Sequence, residues 1–189
     1  ENTESLNIPQ PPETEYVLHR RFDRMGRLVG DDVMKKLFSS HVMVIGLGGV
    51  GSWAAESLAR SGVGNITIID FDEICITNTN RQIHAIQGLV GRKKAEVLGE
   101  RLRKINPQAT INIIPEFYNA ENSERMLSTK PDYIVDAIDN LTAKAHLLAT
   151  CRAQGIHVVT TGGSAGRMDP LSIKKADLAD TYGDPMADR

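Results

Sequence analysis

The apolar positions of this chain alternate between two rhythms. Short runs rich in branched residues, His41-Val-Met-Val-Ile45, Asn65-Ile-Thr-Ile-Ile69, Thr110-Ile-Asn-Ile-Ile114, Tyr133-Ile-Val-Asp-Ala137 and His157-Val-Val-Thr-Thr161, have the length and composition of buried strands. Between them the spacing turns helical. Val33, Met34 and Leu37 predict a helix over 31–38, and Val50, Ala54 and Leu58, at steps of four, put a helical face on 49–61 with Gly62 as its stop. Ala95, Leu98, Leu102 and Ile105 predict a helix over 91–106 ended by Pro107, and two more helices are expected near 119–128 and over 140–154. This alternation predicts an α/β fold, a Rossmann-like doubly wound, mainly parallel sheet with helices on both faces. Ligands of such sheets bind beyond the carboxyl ends of the strands, where Gly46, Asp70, Asp139 and Thr161 fall. The segment 71–90 breaks the rhythm. It is long, polar and rich in Asn and Gln, more than a connector needs, and loops of that kind are often functional.

Composition narrows the class. The chain has 189 residues, 41% of them hydrophobic, enough for one sizeable core and too few for two ordinary domains. Residues 1–15, with Pro9, Pro11 and Pro12 among glutamates, are expected to form a disordered lead-in, leaving 16–189 as one domain. The absence of an initial Met and a stop soon after Gly183-Asp-Pro185 suggest trimmed ends and a missing natural C-terminal part. With 22 basic and 24 acidic residues the net charge is −2, so any nucleic acid must be met by a local patch. The candidate patches are Arg92 to Lys94, Arg101 to Lys104 and Lys174-Lys175, runs that are more often solvated faces. Two cysteines, Cys75 and Cys151, without a CxxC pair or a histidine cluster, suggest neither a disulfide framework nor a structural zinc site and fit a reducing cytoplasm. The longest apolar runs are far shorter than the roughly 20 residues of a membrane helix, so no span is expected.

The chemistry starts at Gly46-Leu-Gly48-Gly49-Val-Gly51, between a predicted strand and helix. Glycines there let the backbone turn tightly and approach a phosphate, which the helix N-terminus attracts. Asp70 ends the second strand, where a carboxylate accepts from ribose hydroxyls. The motif alone does not separate ATP from NAD. Splitting a triphosphate needs cations, and Arg81 and Lys94 supply them, Lys94 lying beside Arg92 and Lys93 where positive charge opposes the helix dipole. A solvated basic helix end is the plain alternative. Asp139, in Asp136-Ala-Ile-Asp139-Asn140, suits Mg2+ beside phosphates or, equally on local grounds, the N-cap of the following helix. Cys75 is expected to be a packing residue. His84 is open between phosphate contact and a histidine satisfied by backbone, and Gly162 and Gly163 between room for substrate and a simple turn.

Gly46-x-Gly-Gly-x-Gly51, Asp70-x-Asp72, Thr77-Asn78-x-Asn80-Arg81-Gln82, Gly91-x-x-Lys94-Ala95 and Asp136-x-x-Asp139-Asn140 together resemble the adenylation core of the ubiquitin-activating-enzyme-like superfamily (MoeB/ThiF). Within it, Asn78-Thr-Asn-Arg-Gln-Ile-His84, Thr160-Thr-Gly-Gly-Ser-Ala-Gly-Arg-Met-Asp-Pro170 and Asp177-Leu…Thr181…Asp184-Pro185 resemble the tRNA threonylcarbamoyladenosine dehydratases, over about 21–187. The resemblance implies ATP and Mg2+ as cofactors, with the glycine turn, Asp70, Asp72, Asn78, Arg81, Lys94, Asp139 and Asn140 around the nucleotide and Asp139 on the metal. It implies a homodimer in which Arg24 reaches the partner's site, with Arg27 as a rival. It also implies a modified tRNA as substrate, and a sulfur-acceptor protein of a cysteine desulfurase system as a further partner. The implied reaction adenylates the carboxylate of threonylcarbamoyladenosine and closes a ring with loss of water. Two alternatives stay open: adenylation of a ubiquitin-like sulfur-carrier tail, and an NAD-binding dehydrogenase.

Overall fold

The computed structural model describes residues 17–163 and 166–181. The expected lead-in at 1–15, Ser164 and Ala165 of the 160–170 segment, and Asp184-Pro185 lie outside the described residues. A 3-10 segment (Val17–Phe22) leads into helices α1 (Asp23–Val29) and α2 (Asp31–Ser39). Then β1 (His41–Ile45), α3 (Gly51–Ser61), β2 (Asn65–Ile69), α4 (Lys94–Ile105), β3 (Thr110–Ile114), α5 (Ser123–Leu127), β4 (Tyr133–Asp136), α6 (Leu141–Gln154) and β5 (His157–Thr160) alternate. The five strands are all parallel and lie in the order β3-β2-β1-β4-β5, so the chain reverses its direction of winding between β1 and β4. The crevice at that reversal is where a ligand belongs.

Each face of the sheet carries its own core, as the two-residue period of the strands requires. Val42, Val44, Ile66, Ile68 and Ile111 meet Ala55, Ala59, Leu98 and Leu102 of α3 and α4. Met43, Ile45 and Ile134 meet Met126, Leu127, Leu147 and Cys151 of α5 and α6. A side chain at Gly99 would stand 2.4 Å from Cδ1 of Ile113, so a glycine there lets α4 lie close on the sheet. Gly62, at φ 91°, ends α3 as expected, and its neighbours Phe22, Met34 and Phe38 seal the α1-α2 hairpin onto the amino edge of the sheet.

Several expectations shift. The buried face of α3 is Ser52, Ala55, Glu56 and Ala59, whereas Val50 is exposed and Leu58 marginal. Glu56 lies on this inward face as a buried carboxylate that takes Arg60 at 2.6 Å and Arg101 of α4 at 2.5 Å, so the buried stripe carries a charge that apolar spacing does not count. Burial works against its charge, but the hydrogen bonds from Arg101 and Arg60 hold Glu56 below the usual carboxylate range. Val33 on α2 is likewise exposed, and Met34 is the buried residue. The helix expected from Gly91 begins at Lys94, because 91–93 forms a strap against 72–74: the Ile74 amide donates to the Arg92 carbonyl and the Gly91 amide to the Ile74 carbonyl. The helix near 119–128 shortens to α5, the preceding turn being closed by reciprocal side-chain bonds between Asn119 and Asn122. The 140–154 helix starts at Leu141, and the strands expected to reach Ala137 and Thr161 end at Asp136 and Thr160.

Candidate functional site

The turn after β1 is shaped by close approach. Gly46, at φ 87°, would drive a side chain to 2.6 Å from the Ala137 carbonyl oxygen, and a Cβ on Gly51 would lie 1.7 Å from the Gly46 carbonyl oxygen. No larger residue fits either position, and the turn from β1 therefore rests against the turn from β4. Cγ and Cδ of Arg81 lie 3.2 Å from where a Gly49 side chain would begin, and Nε2 of Gln82 lies 3.9 Å from that of Gly48. The 76–82 loop is thus folded over the glycine turn. Trp53 of α3 fixes it there by donating from its indole nitrogen to the Arg81 carbonyl at 2.8 Å.

Asp70 ties the next layer. Its Oδ2 accepts from the Leu47 amide at 2.6 Å and its Oδ1 from the Asp72 amide at 2.8 Å. Each carboxylate oxygen keeps a second lone pair, so Asp70 can hold the turn and still accept from a hydroxyl. Burial raises its carboxyl above the usual value, against the pull of the Leu47 and Asp72 amides and the Lys94 charge. Lys94, the first residue of α4, is only 5% exposed, and its Nζ meets Oδ2 of Asp72 at 2.7 Å. A solvated basic helix end would have left it in water. Lys93, by contrast, pairs on the surface with Glu73, and Arg92 with Glu100.

Asn78 is buried and architectural: its Oδ1 accepts from the Cys75 amide at 3.0 Å, and its carbonyl accepts from the amides of Arg81 and Gln82. The Arg81 guanidinium is exposed and held by the Thr77 carbonyl and the Asn80 side chain. Asn140, not Asp139, caps α6, accepting from the Ala143 amide at 3.0 Å. That removes the capping role considered for Asp139, which is exposed two residues beyond Ala137.

One set of contacts therefore gathers Gly46, Gly48, Gly49, Gly51, Asp70, Asp72, Asn78, Arg81 and Lys94 at the carboxyl edge, with Asp139 and Asn140 adjoining. Arg24 is not among them. It lies exposed on α1, at the opposite end of the sheet, where Arg21 donates to the Ile105 carbonyl at the end of α4. Arg27 is bound to Asp23 at 2.9 Å on the same helix.

A model of the ThiF family matches residues 22–181. The chain belongs to that family. It is 48% identical over 167 residues to tRNA threonylcarbamoyladenosine dehydratase of Haemophilus influenzae, covering 88% of this chain and 64% of that protein. The Escherichia coli K12 protein of the same name is also 48% identical, with 89% and 63% covered. The chain thus spans just under two thirds of the length of these two relatives. The crystal structure of E. coli tRNA N6-threonylcarbamoyladenosine dehydratase, TcdA, in complex with ATP superposes with a TM-score of 0.89 at 47% identity, over 90% of this chain and 70% of that one. TcdA has also been solved with AMP, and the doubly wound architecture is common to both proteins.

Three features escaped the sequence. Cys75, expected to pack, is exposed; the Thr77 hydroxyl donates to its Sγ at 3.1 Å and holds the thiol below its ordinary value. Cys151 does pack, and burial pushes its thiol up to about 11. Lys144 is buried in α6 with its Nζ on Oδ2 of Asp136 at 2.5 Å and on the Thr160 hydroxyl at 3.0 Å. A lysine inside the apolar stripe Ala143, Leu147, Cys151 was the available signal. His84 binds the Gln82 side chain instead of backbone or solvent, and nothing in its spacing foretold that.

Proposed function

We propose that this chain is the ATP-binding adenylation part of a tRNA threonylcarbamoyladenosine dehydratase. The observation that carries the proposal is a pair of cations at this edge of the sheet: Arg81, laid along Gly49, and Lys94, buried at the start of α4 on Asp72. A hydride-transfer site has no use for them, whereas a triphosphate does. Asp70 binds the ribose with its remaining lone pairs, and Asn78 sets the loop that carries Arg81. Lys94 exchanges its Asp72 partner for phosphate oxygen, and Asp72 then serves as its rest position. Asp139 is free of capping duty and close to the glycine turn through Ala137, so it fits Mg2+, which takes one or two protein carboxylates plus phosphate oxygens and neutralises developing charge.

The carboxylate of threonylcarbamoyladenosine attacks the α-phosphorus, forming an acyl-O–P bond and expelling pyrophosphate. Arg81, Lys94 and the amides of the glycine turn stabilise the charge on the phosphates. A heteroatom of the same side chain then attacks the acyl carbon, loses its proton and displaces AMP, which carries away the carboxylate oxygen, so the nucleoside has lost one water. The chain works as a homodimer in a cytoplasmic setting, with Arg24 acting in the partner's site; its distance from its own glycine turn, and the engagement of Arg27 with Asp23, favour Arg24 for that role. A sulfur-acceptor protein is a further proposed partner. No helix among the described residues is long and apolar enough to cross a membrane.

The test incubates the full-length protein with ATP and tRNA bearing or lacking the threonylcarbamoyl group. AMP release and a nucleoside lighter by one water, only with the modified tRNA, are expected. AMP formation that depends on a small Gly-Gly-ended protein instead would favour sulfur-carrier adenylation, and binding of NAD but not ATP would favour a dehydrogenase.

A further inference from the structure

His84 and Gln82 form a pair that the reading above leaves unused. His84 is 1% exposed and, among the described residues, has no hydrogen-bond partner at Nδ1, while its Nε2 lies 3.1 Å from Oε1 of Gln82. Two arrangements satisfy that contact. Either the ring donates from Nε2 to the amide oxygen, or the flipped amide donates to a bare Nε2 and the ring proton sits on Nδ1. The second leaves a buried N–H without an acceptor, a rarer and costlier defect than an unused lone pair. The first is therefore favoured. A doubly protonated ring would strand the same N–H and add a charge near Lys94, and burial together with that charge pushes His84 down to about 4, so the ring is neutral. With Oε1 fixed on the ring, the Gln82 amide nitrogen faces the glycine turn, 3.9 Å from where a Gly48 side chain would begin.

We infer that Gln82 is a further anion-binding residue of the nucleotide site, its amide donating to a phosphate oxygen over Gly48, and that His84 is a positioning residue that sets the direction of that donor. The inference rests on a nucleotide occupying the glycine turn. Lys94 and Arg81 supply charge, while the amide supplies a neutral donor whose aim is set from inside the protein.

The test measures ATP affinity by calorimetry for the wild type, Gln82→Met, His84→Phe and the double variant. A hydrogen bond to a charged group predicts roughly a tenfold to hundredfold loss of affinity for Gln82→Met. His84→Phe should lose a comparable amount by freeing the amide to turn, and the double variant should be no weaker than Gln82→Met alone. A pair that only holds the fold would lower Tm in each variant and leave the ATP affinity of the folded protein nearly unchanged. Nitrogen chemical shifts of the wild-type ring give a readout independent of any variant's folding, and are expected to show Nε2 protonated and Nδ1 bare. Gln82→Met within twofold of wild type, multiplying losses, or the opposite tautomer overturns the inference. A wild type that binds ATP but leaves the modified tRNA unchanged would refute the proposed activity and leave this inference standing; one that binds no ATP would overturn both.

Discussion

Replacing Lys144 by Met should be among the most damaging single changes outside the proposed nucleotide site. Asp136 is fully buried, and its Oδ2 takes Lys144 at 2.5 Å and the Thr160 hydroxyl at 2.7 Å, while Oδ1 takes the Ile138 amide at 3.0 Å. Methionine keeps most of the volume and removes only the cation. The carboxylate then keeps two donors but has no counter-charge, and breaking a buried pair in this way costs about 3–5 kcal/mol. Against a total stability of roughly 5–15 kcal/mol for a domain, that is a large fraction. Urea unfolding followed by circular dichroism should show the unfolding free energy fall by this amount, through a lower midpoint with an unchanged slope. Combining it with Asp136→Asn removes the charge; the amide oxygen keeps accepting from the Ile138 amide and the amide nitrogen donates to the Thr160 hydroxyl, which can act as acceptor, so the double variant should regain most of the loss. Because Oδ1 holds the backbone at Ile138, ATP affinity should fall with stability in the single variant. A loss below about 1 kcal/mol with the slope unchanged would refute the account, since the pair would then be no stronger than a surface bridge.

Arg81→Ala and Lys94→Met should each lower adenylate formation by about 10²–10³-fold, as loss of a well-placed transition-state donor does; for Arg81, which is exposed, the unfolding free energy should stay within about 0.5 kcal/mol of wild type. Gly51→Ala should abolish ATP binding in calorimetry, because its Cβ would stand 1.7 Å from the Gly46 carbonyl oxygen, whereas Gly88→Ala, on the 71–90 segment and with none of the described residues beyond its chain neighbours within 4 Å, should leave it nearly unchanged. His84 has a folded value of about 4 against an ordinary 6.5, so the unfolded chain binds its proton first as pH falls. Its contribution is fully present above about 6.5 and lost as pH falls toward 4, a change of up to about 3 kcal/mol that His84→Phe should remove from the difference between unfolding curves at pH 7 and pH 4.5.

The strands were legible because five short apolar runs are each bounded by Gly, Pro or Asp, and their parallel order follows from the helical spacing between them. The glycine turn, Asp70 and the two cations were legible because their chemistry needs particular residue types at particular places on a strand-turn-helix unit. What was not legible depends on contacts far apart in sequence. Glu56 faces inward because Arg101, on the next helix, neutralises it, so the apolar spacing of α3 alone pointed to the wrong stripe. Residues 91–93 look helical by composition, yet they are captured by 72–74. The α1 helix buries none of its own residues; it is held in place by Phe22 just before it packing on Phe38, so no periodicity announced it.

The contact between Gly46 and Ala137 joins the ends of two strands that are neighbours in space but about ninety positions apart along the chain. With no gap between them, the glycine turn and the segment that carries Asp139 cannot be adjusted separately. A side chain added on one shoulder displaces the other, so substitutions at 46 and at 137 should be tolerated only in matched pairs, and a screen for suppressors of a damaged first turn should return changes beside the fourth strand.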